Sequence, residues 1–283
     1  MAQIRTDPDS GYKPEPANTP TTLMVIAGVA FLALFAGWIF LYDWLARTLP
    51  GDENIIRGLL SALFWLVVFV VVLVAARASN TVFASWQTRD ILLLALVAAA
   101  FGPLFVQWQA VYTGFGGFLL QLGVGAGWND IAQGFWFLPA ILVPYIIRRP
   151  GAALFAETLA AAVSVLAGSP YGIIGAAVGG LVQGMGAEVI FMLWGWRRYD
   201  WLTLSLAGAA SAITGFVYYW PIYYAALDAT LLAITATAFV IGVLLLAVIP
   251  GKLLGDALLA TGVLDRFQIG RDRRDRVAAS EEF

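Results

Sequence analysis

The chain contains neither cysteine nor histidine. Without cysteine there is no disulfide, no thiolate nucleophile and no thiolate metal ligand. Without histidine the usual general base, the commonest zinc ligand and the physiological pH switch are missing. Ser/His proteolysis is excluded with it. No G-x-x-x-x-G-K-[ST] occurs, so the chain does not itself bind ATP through a P-loop. Tyr42-Asp43 and Gly255-Asp256 resemble an intramembrane aspartyl pair. They lack the tight glycine spacing of such sites, however, and both aspartates fall near interfaces. The sequence therefore predicts no enzyme and no cofactor. Charge is scarce too, at 12% of 283 residues against about 25% in ordinary soluble domains. The net charge is −2, and no basic patch with interleaved aromatics marks a nucleic-acid surface.

What the chain has instead is apolar surface: 61% of its residues are hydrophobic. A soluble chain of this composition could not cover itself with polar groups, so the class is integral membrane protein. Runs long enough to cross ~30 Å of hydrocarbon lie at 22–46, 55–76, 91–108, 131–147, 151–168, 172–196, 202–224 and 230–250. Strand alternation of the barrel kind is absent. The prediction is an all-α bundle of eight transmembrane helices, set in the lipid bilayer of the cell membrane. Residues 1–21, with Pro14, Pro16 and Pro20, read as a disordered cytoplasmic tail.

Arginines orient the bundle. Arg77 and Arg89, Arg148 and Arg149, Arg197 and Arg198, and a C-terminal group from Arg266 to Arg276 mark one side. The connections at 168–171 and 225–229 carry no Lys or Arg. By the positive-inside rule the first set is cytoplasmic, and eight spans put both termini there. Residues 265–283 form a charged cytoplasmic tail on this reading. The Gly-rich stretch 109–130 does not fit as another full span. It reads as an external re-entrant segment or lid, or as a poorly formed extra helix at the rim.

Charges inside a bilayer are expensive and are functional candidates by default. Glu157 and Glu188 sit on consecutive antiparallel spans, about 8 and 9 residues in from the arginines, or ~12–14 Å. Both are expected to face one cavity, with Gln183 adding an amide. Carboxylates, an amide and aromatic faces suit a flat, amino-bearing or cationic small molecule. Trp108, Trp136, Tyr171, Tyr219, Trp220 and Tyr223 are the candidate aromatics, and membrane anchoring is their alternative role. For the glutamates the alternatives are a protonated carboxyl bonded to backbone, or a proton relay. Gly180-xxx-Gly184 and Ala95-xxx-Ala99 are close-packing motifs, within the bundle or toward a partner.

Three segments carry a family resemblance: Arg149-Pro150-Gly151-Ala152-Ala153-Leu154-Phe155-Ala156-Glu157, Leu166-Ala167-Gly168-Ser169-Pro170-Tyr171-Gly172, and Gln183-Gly184-Met185-Gly186-Ala187-Glu188 with Phe191. In this order they resemble the YkoE-type substrate-specificity (S) components of energy-coupling factor (ECF) transporters, over roughly residues 86–264. The resemblance implies a six-helix core that captures thiamine or its hydroxymethylpyrimidine precursor. It also implies a transmembrane coupling subunit and two cytoplasmic ATPase subunits as partners. In that setting Ala95 and Ala99 would dock the coupling subunit, and 109–130 would be the gating loop. The pair of spans within 22–85 lies outside the usual six-helix core. A proton- or sodium-coupled secondary transporter is the rival class, for which no convincing inverted repeat is found.

Overall fold

A computed structural model describes residues 86–281 and scattered positions between 41 and 63. The expected tail at 1–21 and most of the two N-terminal spans lie outside the described residues. Helical positions at Leu41, Trp44, Leu45, Arg47 and Thr48, and at Ile55, Ile56, Leu59, Leu60 and Leu63, flank a bend at 49–51. Among the described residues there is no strand.

The core opens with α1, Thr88–Gln121, whose 34 residues at 1.5 Å each reach ~51 Å. A turn at 122–127 leads to a 3-10 segment, Trp128–Phe137, which runs straight into α2, Leu138–Ile147. Then follow α3 (Ala152–Leu166), α4 (Gly172–Leu193) and α5 (Trp201–Tyr219). After a π-helical turn at Trp220–Tyr224 come α6 (Ala229–Val243), a second π-helical turn at Leu244–Val248, and α7 (Ile249–Ala260). The last helix is α8, Gln268–Glu281. Among the described residues, five stretches are long and apolar enough to cross a membrane: Thr88–Gln121, Trp128–Ile147, Gly175–Leu193, Trp201–Tyr219 and Ala229–Ala260. The sixth, Ala152–Leu166, is apolar but only 15 residues long.

Two expectations change here. The stretch 109–130 is not one re-entrant loop: α1 continues through Gly114, Gly116 and Gly117 to Gln121. Each glycine costs about 1 kcal/mol in a helix. Away from water a helix still satisfies its own backbone where a loop would not, and that term is larger. The turn that follows needs Gly123 and Gly127, both at positive φ (72° and 96°). The charged tail, second, is helical as α8 and tied back to the bundle: Arg148 pairs with Asp272 at 2.5 Å.

Glycines let the helices interlock. A Cβ at Gly180 would come 2.7 Å from the Glu157 carbonyl, and one at Gly184 within 2.7 Å of the Ala153 carbonyl. The Gly180-xxx-Gly184 motif is therefore consumed inside the bundle, packing α4 on α3. Ala95 and Ala99 are exposed on α1. Gly134 of the 3-10 segment and Gly242 of α6 approach so closely that a Cβ on either would overlap the other strand of backbone.

Candidate functional site

The arginine-bearing loops converge on one end of the bundle, where ion pairs lock them. Asp90 accepts from the Gln87 N–H at 3.0 Å and pairs with Arg149 at 2.7 Å, which joins the start of α1 to the α2–α3 loop. Trp86 donates to the Pro150 carbonyl at 3.0 Å. Tyr145 donates to Asp256, whose other oxygen takes Lys252 at 2.6 Å. The Arg148 guanidinium lies 5.0 Å over the Tyr199 ring, which stacks on Phe191.

Glu188 belongs to this end. Its oxygens accept from Gly151 N (2.6 Å), Ala153 N (3.0 Å) and Trp196 Nε1 (2.6 Å). It thus satisfies the otherwise unpaired N–H groups that open α3, where the helix dipole also favours a carboxylate. Glu157 sits a turn or more deeper, fully buried, and faces a different helix. Its Oε2 accepts from Ala140 N at 3.1 Å, in the first turn of α2, and its Oε1 has no partner. The expected shared cavity is therefore corrected. Equal residue counts from the arginines do not bring the two carboxyls together: Glu188 reaches the start of α3 and Glu157 the start of α2.

Gln183 is 5% exposed and donates from Nε2 to the Tyr219 hydroxyl at 3.0 Å. Tyr219 closes α5, and its ring begins an aromatic run. It packs 5.6 Å from Tyr223 and 6.4 Å from Phe239, and Phe216 stacks on Tyr224 at 5.4 Å. Trp108 and Trp136 are brought together as reciprocal staples between α1 and the 3-10 segment. Trp108 donates to the Ala132 carbonyl (2.7 Å) and Trp136 to the Phe105 carbonyl (3.2 Å). Tyr171 and Trp220 stand apart from these, exposed near the opposite end, with Tyr171 donating to Gln109 at 3.3 Å.

Sequence reasoning missed Asp130. It is 2% exposed and accepts from Tyr112 at 2.7 Å, while Asn129 donates to the same Tyr112 oxygen at 3.0 Å. The available signal was an acid closing a Gly-rich apolar stretch, with no Lys or Arg between Asp90 and Ile147. A cleft of ≈ 250 Å³ under the 122–127 turn is lined by Tyr112, Gly116, Gly117, Gly125 and Asn129 among others. The interior and the end opposite the arginines thus hold carboxyl, amide and phenol groups among stacked rings. Such a set offers hydrogen-bond acceptors and ring faces together.

Six apolar helical segments, two of them carrying a buried acid bonded to the start of a neighbouring helix, make up the core. The chain belongs to the S components of energy-coupling factor transporters. It is 34% identical over 199 residues to the Bacillus subtilis (strain 168) "Putative HMP/thiamine permease protein YkoE", a match covering 70% of this chain and 97% of that protein. A solved structure described as "Crystal structure of an S-component of ECF transporter" superposes with a TM-score of 0.61 at 34% identity, covering 70% of this chain and 98% of that one. The family "ABC-type cobalt transport system, permease component" matches residues 89–214. No group of three or more His, Cys, Asp or Glu side chains among the described residues could hold a metal ion.

Proposed function

We propose that this chain captures thiamine or its hydroxymethylpyrimidine precursor for import. The ligand would then pass across the membrane with a transmembrane coupling subunit driven by two cytoplasmic ATPases. In this reading both termini are cytoplasmic, Ala95 and Ala99 on the exposed face of α1 dock the coupling subunit, and the ligand enters from the opposite end. The observation that carries it is the unpartnered Oε1 of the fully buried Glu157, an acceptor waiting for a donor. Leaving such a group unpaired costs roughly 1–3 kcal/mol, which an aminopyrimidine N–H would recover. Gln183 and Tyr219 supply the amide and phenol of the same pocket, and Trp108, Trp136, Tyr171 and Trp220 line its aromatic approach. Glu188, with three donors already on it, acts by holding the start of α3 in place.

The test is ligand binding by the purified full chain. Glu157→Gln should weaken thiamine and hydroxymethylpyrimidine at least about tenfold, or ~1.4 kcal/mol. Glu188→Gln should instead lower the melting temperature of the ligand-free protein. Wild-type protein that binds neither compound overturns the reading. So does uptake driven by a proton or sodium gradient with no ATPase present.

A further inference from the structure

We propose that Asp130 is the counter-ion for a cationic ring, so that the chain selects the thiazolium-bearing vitamin over its neutral pyrimidine alcohol. This rests on the capture role above and names the substrate within it.

The groups facing Asp130 are Tyr112, Asn129, Gln133 and Tyr224, all uncharged. A carboxylate that is 2% exposed normally has a cation beside it, as Asp90 has Arg149. Among the described residues none stands in that place at Asp130. Rings surround the position instead: Tyr112 meets Trp136 edge-on at 5.7 Å, Trp108 stacks on Phe135 at 4.4 Å, and Phe216 stacks on Tyr224. Aromatic faces together with one negative charge attract a positively charged ring.

A cleft adjoins this position, with Asp130 itself behind its wall, and an unused polar group lies beneath the same turn. The ≈ 250 Å³ cleft is walled by Tyr112 and Asn129, the two residues that form Asp130's hydrogen-bond chain. That is less than the ~300 Å³ lower bound for a drug-sized site, and suits one ring of a two-ring ligand. Gly117 and Gly125 leave open space where side chains would stand. Beneath the turn, the Thr235 hydroxyl is buried without a partner, and a Cβ on Gly127 would lie 2.8 Å from it. The aromatic run from Tyr224 through Tyr223 to Tyr219 joins this position to Gln183. One end of the run therefore offers amide, phenol and carboxyl to an aminopyrimidine, and the other offers a carboxylate and ring faces to a cation.

The test compares thiamine with its neutral thiophene isostere and with hydroxymethylpyrimidine, by calorimetry on the purified full chain. Wild-type protein should bind the isostere at least about tenfold more weakly than thiamine, and Asp130→Asn should erase that difference by weakening thiamine alone. The isostere's affinity, unchanged within about twofold, shows that Asp130→Asn is folded. The wild-type comparison stands without any variant. Equal wild-type affinity for thiamine and the isostere overturns the proposal and leaves the capture role intact. Equal weakening of both compounds by Asp130→Asn does the same. Failure of the wild type to bind thiamine or hydroxymethylpyrimidine overturns both.

Discussion

Two aspartates bracket the long first helix, and they are treated in opposite ways. Asp90 and Asp130 are 1% and 2% exposed. At the arginine-bearing end Asp90 has the Arg149 guanidinium at 2.7 Å and a backbone N–H at 3.0 Å. At the other end Asp130 has only uncharged partners, the Tyr112 phenol at 2.7 Å with Gln133 and Tyr224. The same contrast separates Glu188, with three strong donors, from Glu157, with one. One half of the molecule satisfies its acids fully and is a clamp. The other gives Asp130 only uncharged donors and Glu157 a single one, among aromatic rings.

The largest expected effect breaks the clamp. Asp90→Ala leaves Arg149 largely shielded, at 12% side-chain exposure, with its paired charge gone. Removing one partner of a buried ion pair costs about 3–5 kcal/mol. Unfolding of the variant in mixed micelles should show that loss, whereas Asp130→Asn, which keeps an acceptor for Tyr112, should change stability by less than about 1 kcal/mol. If the two variants destabilise equally, the division between clamp and site is wrong.

A middle-sized effect separates scaffold from chemistry at the site end itself. The 3-10 segment that carries Asp130 is pressed on α6 at Gly134 and Gly242, where no Cβ fits. Gly242→Ala would drive its methyl into the Ile131 carbonyl, and backbone cannot move aside as a rotamer can. Overpacking of this kind costs about 1–3 kcal/mol. The melting temperature should fall, and because the segment positions Tyr112's partner, thiamine affinity should fall with it. Unchanged affinity in a destabilised Gly242→Ala protein would mean that the segment does not hold the site.

Much of this layout was legible beforehand, for identifiable reasons. Apolar runs and arginine-bearing loops gave the six core segments in order, because hydrocarbon thickness and the cost of moving charge leave few alternatives. Burial of Glu157, Glu188 and Gln183 was also readable, since acids within such runs have nowhere else to go. Direction was not readable. Nothing in the spacing of Glu157 and Glu188 says that one faces α2 and the other the loop at Gly151, because that depends on how α3 and α4 rotate about Gly180 and Gly184. The helical course of α1 through Gly114 to Gln121 was missed because propensity disfavours it while the medium demands it. Asp130 was passed over as the edge of a loop. The backward fold of the 3-10 segment onto α1, held by the Trp108 and Trp136 staples, is what buries it.

The smallest effect concerns a feature the two ends share, and so it sets the baseline for the contrast. Asp200 caps α5 at the arginine-bearing end, accepting from Thr203 N at 2.8 Å, and Asp228 caps α6 at the other, accepting from Leu231 N at 2.9 Å. Both are ordinary N-caps, so Asp200→Ala and Asp228→Ala should each cost about 1 kcal/mol, with no change in ligand affinity. The Asp200 carboxyl is held below its usual range, chiefly by the Thr203 backbone N–H. Its contribution is therefore present above the ordinary aspartate pKa and is lost as pH falls through the lowered value. A melting curve followed against pH should show wild type and Asp200→Ala separated at neutral pH and converging in acid. Separation that persists in acid would mean that the cap acts through packing and not through charge. An Asp228→Ala protein that lost ligand affinity would carry the site end as far as the α6 cap.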